Sequence, residues 1–225
     1  MSIRLDDEEY TVSLSNRFKK KYLNLNTMYL KELKKIGIRN IKFFAKGKRS
    51  HIYIGIYKNK KVTIKIKNPN SLAINRIKNE AKYLRILNKC DIGPKLISYN
   101  KNYIIYNFVE GELFIDYIKH NKNNFKIIKN ILEQCRTLDK LKINKLEFTR
   151  PIKHVFIKNK KVTIIDFERC YQTNNPKNVT QFCQFLITNF NIDKKEFSKI
   201  LKGYKKQQSN INFNKIIKYL KSIFF

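Results

Sequence analysis

Three ionisable side chains of this sequence lie in or beside stretches that predict buried structure: Lys65, Glu80 and Asp166. Asp166 ends the run Val162-Thr-Ile-Ile, and a short run of this kind is typical of a buried strand. An ionised carboxylate is costly to bury unless it meets a cation or a metal. A cation or a metal as the partner of Asp166 is therefore one interpretation. The alternative is an ordinary turn or helix-capping Asp after a strand.

Lys65 and Glu80 precede this Asp on a predicted strand and a predicted helix. The strand includes Val62-Thr-Ile-Lys65, and the helix covers residues 71–89. Glu80 lies at the edge of the apolar face of the helix, so it can point inward, where it needs a partner such as Lys65. The alternative is a surface ion pair with Arg76 at i, i+4. The apolar face has helical spacing: Ile74, Ile77, Ala81 and Leu84.

A turn that contains glycine comes before both residues. It joins the predicted strands Ile41–Phe44 and His51–Tyr57, and it includes Gly47 and Ser50. Such a hairpin tip can present backbone N–H groups to a phosphate. Because ordinary tight turns also need glycine, the structural interpretation stays open.

The net charge of the 225-residue chain is +32, from 49 Lys and Arg against 17 Asp and Glu. Such a charge favours partners that are polyanions, such as RNA or an anionic membrane surface. The alternative is the composition bias of an A/T-rich genome, since Lys, Asn, Ile, Phe and Tyr are all abundant. Most of the basic residues are Lys, whereas Arg is the better ligand for phosphates.

Other features exclude some classes of protein. No apolar run approaches the roughly 18 residues that a membrane-spanning helix needs. The acidic start of the chain is unlike a signal peptide. Four Cys residues form no C-x-x-C pair, which argues against a zinc site or a disulfide framework. We expect reduced cysteines and a cytoplasmic location.

The remaining pattern predicts three segments: an N-terminal extension (1–37), a β-rich lobe (38–109) and a mostly helical lobe (110–225). The extension would pack on the β-rich lobe through a helix from Thr27 that Gly37 ends. Val109-Glu-Gly111 would be the hinge between the lobes. The β-rich lobe would also contain a hairpin, Leu96–Tyr99 with Tyr103–Val109.

In the helical lobe we expect a short helix over 112–119, a core helix over 124–142 and a hairpin that ends in Asp166. Residues 142–151 would form a loop. Three more helices follow, over 180–188, from Asp193 to about 205, and over 213–224. The last is basic and amphipathic, so it would pack on its own domain or lie on a membrane surface.

The order of turn, strand Lys, helix Glu, hinge and strand Asp resembles a protein kinase-like fold from about residue 38 onward. Val62-Thr-Ile-Lys65 resembles the V-A-I-K strand and Asp166-Phe-Glu168 resembles D-F-G. Gly47-Lys-Arg-Ser-His-Ile-Tyr-Ile-Gly55 is similar to the turn of small, RIO-like archaeal predicted serine/threonine kinases. The resemblance implies an α+β fold with a small antiparallel sheet and one helix in the N-lobe and a shortened helical C-lobe.

The resemblance also implies ATP and Mg²⁺ as ligands. Lys65 would hold the α- and β-phosphates, Glu80 would hold Lys65, and Asp166 would bind Mg²⁺. The turn with Gly47 and Ser50 would cover the phosphates. The segment from Tyr106 to Val109, Phe108 included, would offer backbone groups to adenine.

The chain departs from the family pattern where the catalytic loop should be. By position Glu147 is the carboxylate available as a base, and His154 takes the place of a metal-binding Asn. The gap between them is two residues longer than usual, and an ungapped match would put Thr149 at the base position, where it could not act. Glu168 replaces Gly, so the flexible switch is missing, and no A-P-E follows.

Three functions are consistent with this pattern. The first is an ATP- and Mg²⁺-dependent phosphotransferase of the atypical serine/threonine protein kinase type. The second is a kinase of the same fold that acts on a small molecule or sugar, which the missing activation segment favours. The third is a pseudokinase that binds nucleotide and docks on RNA or a ribonucleoprotein through its positive surface.

Overall fold

The computed structural model describes residues 29–47, 49–68, 71, 75–121, 123–149 and 151–224, without the side chains of 147, 149 and 152. The predicted cap at Thr27 and the rest of residues 1–28 lie outside these ranges. The chain has the predicted α+β fold with two lobes. Within the described ranges, no helix combines the length and the apolar character that crossing a bilayer requires.

The N-lobe contains one antiparallel sheet of five strands in the order β1-β2-β3-β5-β4. Helix α1 (residues 29–35) precedes the sheet and helix α2 lies between β3 and β4. The bounds are β1 Arg39–Lys46, β2 Ser50–Tyr57, β3 Lys60–Lys67, α2 Arg76–Leu87, β4 Leu96–Tyr99 and β5 Tyr103–Asn107.

The sheet is covered on both faces, which explains why β3 is buried along most of its length. Val62 and Ile64 point to the face where Leu33 of α1 packs. Lys65 lies opposite Ile104 of β5, and Ile104 packs with the apolar face of α2. Because directly opposed residues of antiparallel strands share a face, Lys65 points toward α2 and the cleft.

The C-lobe is mostly helical, and α4 forms its centre. The bounds are β6 Glu112–Leu113, α3 Phe114–His120, α4 Phe125–Lys140, β7 Ile143–Lys145, β8 Val155–Lys158, β9 Lys161–Ile164, β10 Cys170–Gln172, α5 Asn178–Asn189, α6 Lys194–Lys206 and α7 Asn210–Phe224. The predicted cap of α6 is confirmed, since Asp193 accepts hydrogen bonds from Lys195 and Glu196 amides. Phe213, Ile216 and Leu220 of α7 are buried against the C-lobe core.

Two small sheets depart from the sequence-based expectations. The start of the expected helix 112–119 is the short strand β6, which pairs with β8. Part of the expected loop 142–151 is strand β7, which pairs with β10. Each of these strands has two or three residues, too few for a hydrophobic period to show in the sequence. Through β10, the segment after Asp166 is fixed to the centre of the C-lobe.

A buried carboxylate joins three C-lobe helices. Asp139 of α4 is 1% exposed and accepts hydrogen bonds from the backbone amides of Asn178 and Val179, the first residues of α5. It also accepts one from the Tyr204 hydroxyl of α6 at 3.0 Å. That hydroxyl in turn accepts from Arg136 at 2.9 Å. Asp139 therefore caps a helix that is distant in sequence and fixes how α4, α5 and α6 pack.

The Tyr204 hydroxyl should therefore contribute measurably to stability. We expect Tyr204→Phe to lower the free energy of unfolding by about 1–3 kcal/mol, because a buried charged group loses a hydrogen-bond partner. The measurement is urea denaturation. Tyr219→Phe is the matched control, since the partners of its hydroxyl, the Asp193 carbonyl at 3.5 Å and the Glu196 side chain, are exposed. Equal losses for the two variants would contradict the role of the network.

Candidate active site

Lys65 is surrounded by carboxylates at the cleft between the lobes. Its ammonium lies 2.8 Å from a Glu80 oxygen, 3.1 Å from an Asp166 oxygen and 2.9 Å from a Glu168 oxygen. The Lys65 side chain is 8% exposed and that of Glu80 is 1% exposed. Such burial is tolerable only because each charge meets an opposite one.

The contact expected between Lys65 and Glu80 is present in the structure. The side chain of Lys65 points from β3 toward α2, and Glu80 is on the inward side of that helix. The alternative partner, Arg76, instead donates to the Glu168 carbonyl at 3.4 Å. Periodicity alone therefore located both members of this pair correctly.

Asp166 is held at the cleft by its backbone. Its φ is 63°, a left-handed conformation that Asp adopts more readily than most residues. The Ile165 amide donates to the His154 carbonyl at 2.9 Å, and the ammonium of Lys145 donates to the Asp166 carbonyl. The position of the Asp166 carboxylate thus depends on contacts to the main chain before and at this residue.

Lys145 is a site residue that sequence reasoning missed. It lies on β7, is fully buried, and its ammonium is 5.4 Å from the ring centre of Phe167 and 5.9 Å from that of Phe148. A Lys in an apparent loop of a Lys-rich chain gives no sign of burial. The one available signal is that Lys145 lies two residues after the apolar Ile143, and therefore on the same face of this three-residue strand.

The charges in the cleft keep Asp166 ionised. Burial alone would raise the pKa of Asp166, but Lys65, Lys145 and His154 outweigh it and lower this pKa to about 2. Burial lowers the pKa of Lys65, yet the adjacent carboxylates, Glu80 first, raise it well above its ordinary value. For Glu80, burial is the largest cause and its pKa is raised.

The turn between β1 and β2 is tight and connects to the carboxylate cluster. The Gly47 amide donates to the Ser50 carbonyl at 2.8 Å, and a Cβ on Gly47 would lie 2.9 Å from that oxygen. The turn therefore requires glycine, and this amide is already engaged within it. Arg49, in the same turn, places its guanidinium 3.0 Å from the carboxylate of Glu168.

Glu168 is held in the cluster through its own backbone. The Asn79 side-chain amide on α2 donates to the carbonyls of Glu168 and Cys170, each at 2.9 Å. The Glu168 side chain is 6% exposed. The main chain at the third residue of the D-F-E sequence is therefore held against α2.

Three carboxylates, those of Glu80, Asp166 and Glu168, have oxygens within 4.8 Å of one another. The ammonium of Lys65 already lies among them, so a cation at their centre would meet strong repulsion. Asp166 directs Oδ1 at Lys65, while Oδ2 is 3.6 Å from His154 Nε2. Oδ2 is therefore the oxygen best placed to hold Mg²⁺, which prefers oxygen ligands over imidazole.

The segment predicted to contact adenine lies at the end of β5. Tyr106 is buried, and this burial is the main reason why its pKa is raised. Its ring packs on the α2 side of the sheet. The Phe108 amide donates to the Lys61 carbonyl at 3.0 Å, so this amide is engaged within the lobe. The Phe108 ring contacts Phe44 of β1, with the ring centres 6.0 Å apart, and the Lys61 ammonium lies over it at 4.0 Å.

The region of the predicted catalytic loop has an unusual conformation. Residues 146–149 form a 3-10 helix between β7 and Pro151. The side chains of Glu147 and Thr149 lie outside the described part of the chain, so their predicted roles stay predictions. His154, the other residue predicted here, lies beside Asp166 with 20% of its side chain exposed.

No family model and no curated protein matches this chain. Its fold does match solved structures, among them the Rio2 kinase–ADP/Mg²⁺–phosphoaspartate complex from Chaetomium thermophilum. The TM-score is 0.57 at 14% identity, and the match covers 76% of this chain and 58% of the other. The chain thus spans little more than half the length of that kinase. It has a RIO-like, protein kinase-like fold with two lobes.

The low pKa of Asp166 has a consequence for stability in acid. A carboxylate whose pKa is lowered on folding stabilises the protein above its unfolded value, 3.8, and loses this effect as the pH falls through about 2. We expect Asp166→Asn to remove a contribution on the order of 1–2 kcal/mol near neutral pH. Asn also tolerates the left-handed backbone.

Urea denaturation of wild type and Asp166→Asn at several pH values measures this contribution. The difference in the free energy of unfolding should be constant above about pH 5 and should shrink between pH 4 and 2. A difference that stays constant or grows toward low pH would contradict the electrostatic account of Asp166.

Proposed function

We propose that this protein is an ATP- and Mg²⁺-dependent phosphotransferase. The observation that supports it most is the ammonium of Lys65, paired with Glu80 and 3.1 Å from Asp166 in the cleft of a kinase-like fold. Phosphoryl transfer depends mainly on positioning and on neutralising phosphate charge. A fixed ammonium beside an ionised carboxylate that can hold Mg²⁺ supplies both.

In this proposal Lys65 binds the α- and β-phosphates and Glu80 keeps its ammonium in place. Asp166 holds Mg²⁺ through Oδ2, and the bound cation would neutralise charge on the transferred phosphoryl group. Lys145 acts through Asp166: by donating to its carbonyl it fixes where the carboxylate points. His154 stays a predicted neighbour of the metal, although imidazole suits Mg²⁺ poorly.

The adenine would lie at the end of β5, which pairs with Val62 and is distant from the turn between β1 and β2. The Phe108 amide is engaged, so Val109, the next residue, is the better candidate for backbone contact with the base. Tyr106 would limit the depth of the cleft. Gly47 and Ser50 would shape the turn above the phosphates, with Gly47 required for its tightness.

The structure says less about the phosphoacceptor than about the nucleotide. By likeness to the Rio2 kinase we propose a protein hydroxyl on Ser or Thr, within the archaeal RIO-like group, with Glu147 as the base. One observation favours the alternative, a small molecule: only five residues, 173–177, separate β10 from α5. This leaves little chain to position a peptide.

A non-catalytic function is the second candidate, supported by the charge of the N-lobe. Four exposed basic residues lie on one face of α2 and the turn after it, spaced as i, i+4, i+7 and i+11: Lys78, Lys82, Arg85 and Lys89. None of them forms an ion pair with another described residue. A pseudokinase that docks on RNA through this face, in the cytoplasm, would use the same nucleotide site.

A binding experiment distinguishes the phosphate-binding role of Lys65 from the metal-binding role of Asp166. We expect Lys65→Met to weaken ADP binding about tenfold or more, with or without Mg²⁺, since a charge-assisted contact to phosphate is lost. Asp166→Asn should instead abolish the gain in affinity that Mg²⁺ provides and leave binding in EDTA no weaker. Isothermal titration calorimetry measures both effects.

The control for these variants is Asp116→Asn, a carboxylate on α3 that is 42% exposed and pairs with Lys119 on the same helix. It makes the same chemical change outside the cleft and should bind ADP as wild type does. A Mg²⁺ effect that survives in Asp166→Asn would contradict the metal assignment. Unchanged ADP affinity in folded Lys65→Met would contradict the phosphate assignment.

Catalysis is tested by transfer of labelled phosphate from ATP. We expect Glu147→Gln to slow transfer about 100-fold, the usual range for loss of a general base. Glu133→Gln, an exposed carboxylate on α4, is the control. Product that survives acid indicates a Ser or Thr ester, whereas loss in hydroxylamine indicates an acyl phosphate. Equal, measurable rates for Glu147→Gln and wild type would contradict Glu147 as the base, whereas no transfer by either protein would favour the pseudokinase.

A further inference from the structure

The carboxylate of Glu168 lies between two cations that come from different parts of the N-lobe. One oxygen is 2.9 Å from the Lys65 ammonium, and the other is 3.0 Å from the Arg49 guanidinium. Each oxygen thus has its own cation, as in the two-point binding of a carboxylate or a phosphate. A phosphate has the same charge sign and similar spacing between its oxygens.

Carboxylates enclose the ammonium of Lys65 in this arrangement. Three of them lie within 3.1 Å of it, and their negative charges repel a phosphate. A nucleotide phosphate can therefore approach Lys65 only if one of these carboxylates withdraws. The question is which of Glu80, Asp166 and Glu168 can do so.

Glu80 cannot withdraw at reasonable cost, because it is 1% exposed and would remain as an uncompensated buried charge. The backbones of Asp166 and Glu168 are both held by hydrogen bonds, but the side chain of Asp166 is one methylene shorter, so its carboxylate can move less far from Lys65. Glu168 differs because its second partner, Arg49, lies on a turn with 36% of its side chain exposed. The pair of Glu168 and Arg49 is therefore at the open edge of the cluster.

A displaced Glu168 side chain has other cations close by. A small cavity beside it is also lined by basic residues from β3, from the start of α2 and from the turn before β5: Lys67, Arg76 and Lys101. Arg76 already contacts the Glu168 carbonyl. The carboxylate can thus turn away from Lys65 without losing all its positive surroundings.

We propose that Arg49 and Lys65 together form a binding site for a nucleotide phosphate, and that Glu168 fills this site until the nucleotide replaces it. The inference rests on the proposed function, since it requires that the cleft binds a nucleotide. Glu168 then competes with the ligand, and the apparent affinity equals the affinity of the open site multiplied by the fraction of protein in which the site is open.

The test is ADP binding in EDTA, measured by calorimetry for wild type, Glu168→Gln, Arg49→Gln and the double variant. We expect Glu168→Gln to raise the affinity for ADP about three- to tenfold, since the competing carboxylate is gone. Arg49→Gln should lower the affinity about tenfold in the Glu168→Gln background, where it removes only a phosphate contact. In the wild-type background its effect should be smaller, because it also weakens the competitor.

Two controls change the same charges elsewhere: Glu133→Gln on α4 and Arg39→Gln at the start of β1. Neither should alter ADP affinity by more than about twofold. Equal penalties for Arg49→Gln in the two backgrounds, or an unchanged affinity in Glu168→Gln, overturn the inference. Weaker binding of Glu168→Gln only when Mg²⁺ is present also overturns it, because Glu168 would then be a metal ligand.

Failure of the proposed function looks different. If ADP binds to none of the four proteins, with or without Mg²⁺, nucleotide binding itself is contradicted. Binding at the same affinity in all of them contradicts only the role of Glu168.

A measurement without ligand adds an independent check. Hydrogen exchange of amides in residues 47–51 should speed up in both Glu168→Gln and Arg49→Gln, and unchanged exchange in both would overturn the proposed pairing in solution.

Discussion

The buried ammonium of Lys65 is the constraint on which the cleft depends. Taking this charge out of water is favourable only with anions around it, and the chain supplies three carboxylates within 3.1 Å. They come from α2 in the N-lobe and from the segment after β9. Because removing one partner of a buried pair typically costs about 3–5 kcal/mol, Lys65 links the geometry of both lobes.

The same cluster is the basis of the proposed binding of phosphate and metal. Lys65 and Lys145 together lower the pKa of Asp166, so its carboxylate is ionised at any physiological pH. One of its oxygens faces Lys65 and the other faces outward toward His154. The cleft therefore presents a positive charge for phosphate next to a negative oxygen for a cation, which is the arrangement that a magnesium nucleotide complex requires.

The sequence predicted those parts of the site that have a periodic signal. The strand of Lys65 and the inward side of Glu80 were predicted from strand and helix patterns. The apolar run before Asp166 left an ordinary turn Asp open, and only the resemblance to a kinase-like fold joined the three residues in one site. Lys145 was missed because its strand has three residues and pairs with β10, a partner about 25 residues away. The contact of Arg49 with Glu168 joins residues 119 apart, and nothing local marks either as a partner. Long-range pairing is set by the packing of the whole fold.

The central claim is that a magnesium nucleotide binds between Lys65 and Asp166. The most direct measurement is a crystal structure with ADP and Mn²⁺, in which anomalous scattering locates the metal. We predict an anomalous peak on the outward oxygen of Asp166 and on a phosphate oxygen, with a phosphate within hydrogen-bond distance of the Lys65 ammonium. A metal bound away from Asp166, or a nucleotide whose phosphates do not reach Lys65, would contradict the account.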